Sequence, residues 1–279
     1  MRDIVRSEPL LGGMSSIVER EWLRDGSSVV TRTITDSDWL TREPNLIERE
    51  AAVLKLLASS AVRAPLLVGT EGATQLTMSF VDGVMVTDGA GLASRAQAIA
   101  EVAAEIAAVA LPADHDLPGW RSWAAPALEP PDWGNVDLWS KAIECYRATG
   151  PTVPEQVCLL HRDLHPLNML WPVEGLPAVV DWVNARVGHA HAELGHLRWN
   201  LTVLSHQEVA DQVLAAYLDL TAADGHRTYD PWWDLAPLMS FLPGPIGGSG
   251  WHAVGRTDLT PRRVVERTER FLAAALAAS

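Results

Sequence analysis

The apolar positions change their period along the chain. Up to about residue 77 they form short runs separated by polar or glycine breaks, which predicts strands, with one exception. Residues 48–58 place Ala51, Leu54 and Ala58 on one face with Val53 and Leu57 adjoining, and this spacing predicts a helix among the strands. Segments 65–68 and 75–78 read as strands divided by Gly69 and Gly72. Beyond residue 80 the pattern turns mainly helical, with helices expected near 94–110, 132–148, 206–220 and from 261 onward. Three short apolar runs at 157–160, 169–171 and 178–180 interrupt it and read as strands. The expected architecture is α+β and bilobal: a small β-rich N-terminal lobe over residues 1–80 and a larger, mainly helical lobe over 81–279.

The three interrupting strands frame the chemistry. Between the first two lies His161-Arg162-Asp163-Leu164-His165-Pro166-Leu167-Asn168, and the third ends at Asp181. An aspartate, an asparagine five residues on and a second aspartate at a strand end match what phosphoryl transfer from a nucleotide requires. Asp163 is placed to orient or receive the proton of an acceptor hydroxyl. Asn168 and Asp181 offer hard oxygen ligands for the Mg²⁺ that bridges nucleotide phosphates. Strand, loop, strand, turn and strand bring 163, 168 and 181 together without long connections.

On these residues the chain resembles the aminoglycoside phosphotransferase family, small-molecule kinases with a protein-kinase-like fold. The resemblance extends to Leu11-Gly12-Gly13-Met14-Ser15-Ser16, to 29–32, to 48–54, to the stretch Leu76–Gly83 and to Pro231-Trp232-Trp233-Asp234-Leu235. It implies a phosphate loop containing Ser15 and Ser16, a phosphate-binding cation at Arg32 and an acidic partner at Glu50, with Glu48 as its rival. It also implies an inter-lobe hinge in which Met78, Ser79 and Phe80 meet the adenine of ATP or the base of GTP. The chain has only two lysines, Lys55 and Lys141, and neither stands where such kinases hold the phosphate lysine. Arg32 takes that place, with a fork suited to bidentate contacts. The downstream D-F-G and A-P-E signals of protein kinases do not follow Asp181, so a small-molecule acceptor is the better reading. Glu193 stands where relatives commonly carry an aspartate that ties a helix start to the catalytic loop. Its expected role is structural, with substrate contact as the alternative.

Composition narrows the partners. A formal charge of −13, with 35 acidic against 22 basic residues, argues against a nucleic-acid partner and favours a cationic small-molecule acceptor. No apolar stretch suits a membrane span, and Cys145 and Cys158 do not read as a disulfide, so a cytoplasmic enzyme is expected. His189, His191 and His196 lack zinc-ligand spacing. Twelve tryptophans against three phenylalanines and three tyrosines make Trp the main large aromatic. Trp133, Trp139 and Trp182 lie on segments that can face an acceptor pocket, and Asp132, Asp137, Asp230 and Asp234 can meet a cation. The leading expectation is phosphoryl transfer to an aminoglycoside or other basic antibiotic. The alternatives are a metabolic kinase of an amino alcohol, amino acid or sugar, and a nucleotide-binding module without turnover.

Overall fold

The computed structural model describes residues 3–10, 16–151, 157–224, 228–244 and 249–279. Strands β1 (Ile4–Pro9), β2 (Ser16–Leu23), β3 (Ser28–Ile34), β4 (Leu67–Glu71) and β5 (Gln75–Ser79) form one antiparallel sheet in the order β1-β2-β3-β5-β4. Helices α1 (Ser37–Arg42) and α2 (Leu46–Leu57) lie between β3 and β4 in sequence. The apolar face of α2 buries Leu46, Ile47, Val53, Leu54 and Leu57, which is why this helix forms and where it packs. The expected start at 48 is two residues late, because buried Leu46 and Ile47 extend the apolar face into the first turn. The strand expected at 65–68 is β4, displaced to Leu67–Glu71 and closed by a turn at Gly72 with φ of 58°.

The remainder is mainly helical: α3 (Gly89–Ala93), α4 (Ala96–Ala107), α5 (Val136–Thr149), α6 (His191–Leu204), α7 (Gln207–Leu220), α8 (Trp232–Met239), α9 (Ser249–Ala253) and α10 (Pro261–Ala278). The single helix expected over 94–110 is thus α4 alone, preceded by a separate turn of helix capped by Asp88. Helix α5 begins at Val136 rather than 132, because the Asn135 side chain accepts the N–H of Leu138 and caps it there. Two short pairs, β6 (Cys158–Leu160) with β9 (Arg186–Gly188) and β7 (Met169–Leu170) with β8 (Ala178–Val179), carry the loop over residues 161–168. Among the described residues, no helix is long and apolar enough to cross a membrane.

Helix α6 is the spine of the helical lobe, and every one of its 14 residues is buried. It meets α8 at Gly195, where an added Cβ would stand 1.8 Å from the Trp233 carbonyl oxygen. That contact is backbone and cannot swing away. Gly195→Ala is therefore expected to destabilise the fold by about 3 kcal/mol through overpacking, read as a lowered midpoint in urea denaturation. An unchanged midpoint would contradict the close approach. Arg198 ties the same helices together: its Nε lies 3.0 Å from Asp234, which also accepts the Tyr229 hydroxyl at 2.6 Å. Asp234 was expected among the cation contacts; it is buried, and its oxygens are engaged inside the core.

Candidate active site

The loop between β6 and β7 is held from behind by Glu193, in the first turn of α6. Its carboxylate accepts the backbone N–H of His161, that of Arg162 at 3.1 Å and that of Leu164 at 3.4 Å. Glu193 is only 4% exposed, so its substrate-contact alternative is corrected: both oxygens face the loop backbone. This anchoring explains why Arg162 can sit at φ of 72°, a left-handed conformation that costs a non-glycine residue about 1–3 kcal/mol. Asp181 shares this feature at φ of 70°. Both unusual residues flank the expected chemistry.

His161 links the two. Its Nδ1 accepts the N–H of Asp163 at 3.2 Å, which leaves the ring proton on Nε2 to be donated to the Val180 carbonyl at 2.8 Å. Val180 in turn donates its N–H to the Asn168 carbonyl at 3.0 Å, and the Asn168 side-chain amide donates to the Asp163 carbonyl at 2.9 Å. These bonds join residues 163 and 168 to Val180, the residue before Asp181. With its NH₂ committed to the loop, Asn168 has its amide oxygen left as an acceptor. That oxygen and the Asp181 carboxylate are hard donors of the kind Mg²⁺ takes alongside phosphates, so the residues present fit the ion.

The Asp163 side chain is 31% exposed, and its Oδ1 lies 3.1 Å from His196 Nε2 and 3.5 Å from His165 Nε2. Burial works to raise its pKa, but His165 and His196 together hold the carboxyl well below the ordinary range. His165 moves the other way: burial opposes its charge, yet Asp163 outweighs it and raises the imidazole. Sequence reasoning set His196 aside as a zinc ligand and assigned no role to His165; only the fold brings α6 beside the loop.

The sign of the His165 shift fixes a pH dependence for the ligand-free protein. A folded pKa above the ordinary 6.5 adds stability that is fully present below 6.5 and is lost as pH rises through the raised value. In thermal melts, His165→Asn should cost more at pH 5.5 than at pH 9. An equal or larger loss at pH 9 would contradict the pairing.

From the sheet, Arg32 on β3 reaches the same place. Its NH1 donates to Asp181 Oδ1 at 2.6 Å, while its Nε stands 3.6 Å from Glu50 Oε2. The expected Glu50 partner is therefore the looser of two, because a guanidinium is long enough to span from α2 to Asp181. Burial opposes the Arg32 charge, but the Asp181 and Glu50 carboxylates outweigh it and raise its pKa. Glu50 is itself raised, since its near-complete burial exceeds the relief from Arg32. Helix α2 is clamped to the same segment by Arg49, whose Nε and NH2 donate to the Val183 carbonyl at 3.0 and 2.7 Å.

Ser16 opens β2 opposite Ile34, whereas Ser15 and the glycine pair lie outside the described residues. Met78 is buried inside β5 between Val30 and Leu67. The N–H groups of Ser79 and Phe80 are bonded to the carbonyls of Leu66 and Ser28, so they are not the groups a base would meet. Phe80 carries the Arg20 guanidinium over its ring at 3.6 Å.

The acceptor-side expectations need correction. Trp182 is fully buried: its indole donates to the Val179 carbonyl at 2.8 Å and its ring meets His161 edge-on, so it supports the loop from inside. Trp139 is also fully buried, with its indole N–H on Glu269. Trp133 packs edge-on against Trp139 and donates to the Pro243 carbonyl, beside exposed Asp132. Adjacency to a motif in sequence does not tell which way an indole points. The small pocket beside Arg162 and His196 is walled instead by Trp120, Ser122, Trp123 and Trp233 among others. Neither Trp133 nor Asp132 lines it. Arg162, pushed down to about 10 by burial, lies with its guanidinium 4.0 Å from the Trp123 ring centroid.

A five-stranded antiparallel sheet joined to a helical lobe, with this loop between them, defines a kinase-like fold. The chain belongs to the phosphotransferase enzyme family known as APH, whose sequence profile matches residues 8–232. None of the curated proteins matches it. Among solved structures it is similar to aminoglycoside phosphotransferase APH(4)-Ia, with 14% identity, 97% of this chain and 94% of that one covered and a TM-score of 0.67. It is also similar to macrolide 2'-phosphotransferase MphH from Brachybacterium faecium, at 20% identity, 93% and 90% coverage and a TM-score of 0.58. A putative fructosamine-3-kinase from Thermobifida fusca YX-ER1 is similar at 19% identity, 98% and 95% coverage and a TM-score of 0.55.

Proposed function

We propose that this phosphotransferase moves the terminal phosphoryl group of ATP or GTP to a hydroxyl of a small molecule. The observation that carries this reading is the 2.6 Å ion pair from Arg32 on the sheet to Asp181, which closes the nucleotide side onto the loop bearing Asp163 and Asn168. In this reading residues 1–80 form the nucleotide lobe and 81–279 the catalytic and acceptor lobe. Ser15, Ser16 and Arg32 hold phosphates, Glu50 positions Arg32, and the 78–80 segment borders the base. Asn168 and Asp181 would hold Mg²⁺, which neutralises phosphate charge when bound.

Asp163 is the group that meets the acceptor. Being ionised and hydrogen-bonded by His196, it orients the hydroxyl and accepts its proton as the oxygen attacks phosphorus. Most of the rate would come from alignment and from a preset electrostatic environment. The resemblance and the net charge favour basic antibiotics as acceptors.

The metal assignment has its own test. Calorimetric titration with AMP-PNP should give an affinity that rises with Mg²⁺ in the wild type. Asp181→Asn should lose about tenfold in affinity at saturating Mg²⁺, roughly 1.4 kcal/mol, with little metal dependence left. The same metal response in both proteins would remove Asp181 from the nucleotide site.

A further inference from the structure

Glu43 gathers three guanidinium groups. Pro44 after it disfavours helical backbone, so α1 stops there and Glu43 leaves the helix with φ of −138°. Its Oε2 accepts from Arg49 on α2 and from Arg186 on β9, and its Oε1 from Arg121 in the loop before α5, each at 2.7 Å. The Glu43 side chain is 14% exposed, and those of Arg49 and Arg186 are buried. Burial works to raise the Glu43 pKa, but the three arginines outweigh it and hold the carboxyl below the ordinary range. Ion pairs this enclosed are costly to break, because removing one partner leaves the others uncompensated.

Each arginine leads to a different part of the candidate site. Arg49 adjoins Glu50, which stands beside Arg32, and Arg32 pairs with Asp181. The other nitrogens of Arg49 hold the Val183 carbonyl, two residues past Asp181. Arg186 lies opposite Leu160, the residue before His161. The Arg121 carbonyl accepts from the Arg162 side chain at 3.1 Å, next to Asp163. Glu43 itself comes from the segment between β3 and β4, whereas Arg121 and Arg186 follow the sheet in sequence, so its ties cross from the sheet side to the loop side.

Without Glu43 the cluster loses its counter-charge. Burial, with Arg49 and Arg121 close by, already pushes the Arg186 pKa down even though Glu43 opposes it. Neutralising Glu43 would leave three guanidiniums facing one another, and like charges in a partly buried setting repel strongly. We infer that Glu43 is a positioning residue for phosphoryl transfer: through Arg49, Arg121 and Arg186 it holds the Arg32 and Asp181 pair in register with the loop carrying Asp163. This role rests on the proposed nucleotide site and adds to it a residue outside every motif of the sequence.

The test compares full-length wild type, Glu43→Gln and Glu43→Asp in the cold, well below their unfolding midpoints. Calorimetry with AMP-PNP and Mg²⁺ reads the affinity, and amide hydrogen exchange reads residues 158–168 and 182–188. Glu43→Gln keeps the volume and loses the charge. It should bind AMP-PNP about tenfold more weakly, a usual size for coupling between sites, and exchange faster in both segments while β2 and β3 stay protected. Glu43→Asp keeps the charge on a shorter stem and should recover part of the affinity. A purely stabilising role would lower the urea midpoint of Glu43→Gln and leave the affinity of the folded protein unchanged, which would overturn the inference. Unchanged exchange in Glu43→Gln, or an aspartate variant as weak as the glutamine one, would overturn it too. Should Glu43→Gln fail to fold, Arg121→Gln removes the most exposed of the three partners and should show a smaller loss in the same direction; no loss there would contradict the role. Failure of the wild type itself to bind AMP-PNP would remove the nucleotide site and this role with it, whereas a result confined to the variants bears on Glu43 alone.

Discussion

Asp163→Ala is expected to lower phosphoryl transfer by about 10²–10⁴-fold, the usual contribution of a positioned general base, while nucleotide affinity stays close to that of the wild type. The separation follows from where its contacts lie. Asp163 bonds through its side chain to His165 and His196, whereas Arg32 and Asp181, proposed to face the nucleotide, pair with each other. Removing the carboxylate leaves the Asp163 main chain and its bonds to His161 and Asn168 in place, so the loop is expected to keep its course. Rates at saturating nucleotide, with calorimetry on the same preparation, would check it. A mutant that turns over like the wild type, or one that loses nucleotide affinity in parallel with rate, would place Asp163 elsewhere in the mechanism.

The second large effect is structural and acts on the same loop. Glu193→Ala should destabilise the protein by about 3–5 kcal/mol, because a buried charged acceptor disappears from under the N–H groups of His161, Arg162 and Leu164. Those donors would face an apolar gap. Glu193→Gln separates charge from volume: the amide fills nearly the same space but turns an NH₂ toward the N–H groups its carboxylate satisfied. It should therefore cost most of what alanine costs, and Arg162 should lose the restraint that holds its left-handed backbone. Urea denaturation of both variants measures this. Near-wild-type stability in Glu193→Gln would mean that Glu193 fills space and does not organise the loop.

These two residues also mark how far the sequence could be read. Asp163, Asn168 and Asp181 lie within 19 residues of one another, so strand and turn signals were enough to bring them together. Helix α2 was legible because its buried face repeats at helical spacing. Helix α6 had no such signal: with all 14 residues buried it has no polar face, and a pattern of alternating environments cannot exist. His196 and Gly195 sit on that helix, so their roles were hidden with it. The pocket beside Arg162 and His196 was out of reach for a related reason. Its walls come from the loop carrying Trp120 and Trp123, from Arg162, from α6 and from α8, and only the packing of α6 on α8 sets them together. Trp182, adjacent to Asp181, pointed inward instead, to its bond with Val179.

The central claim, that the Arg32, Asp163 and Asp181 arrangement transfers phosphate to an alcohol, is tested most directly by following the γ-phosphate of ³²P-labelled ATP. Wild-type protein, with Mg²⁺ and a panel of hydroxyl-bearing small molecules, is expected to move the label onto an acceptor in a mole-for-mole relation to ADP formed, while Asp163→Ala moves almost none. Label released only as inorganic phosphate, or an equal yield from Asp163→Ala, would contradict it.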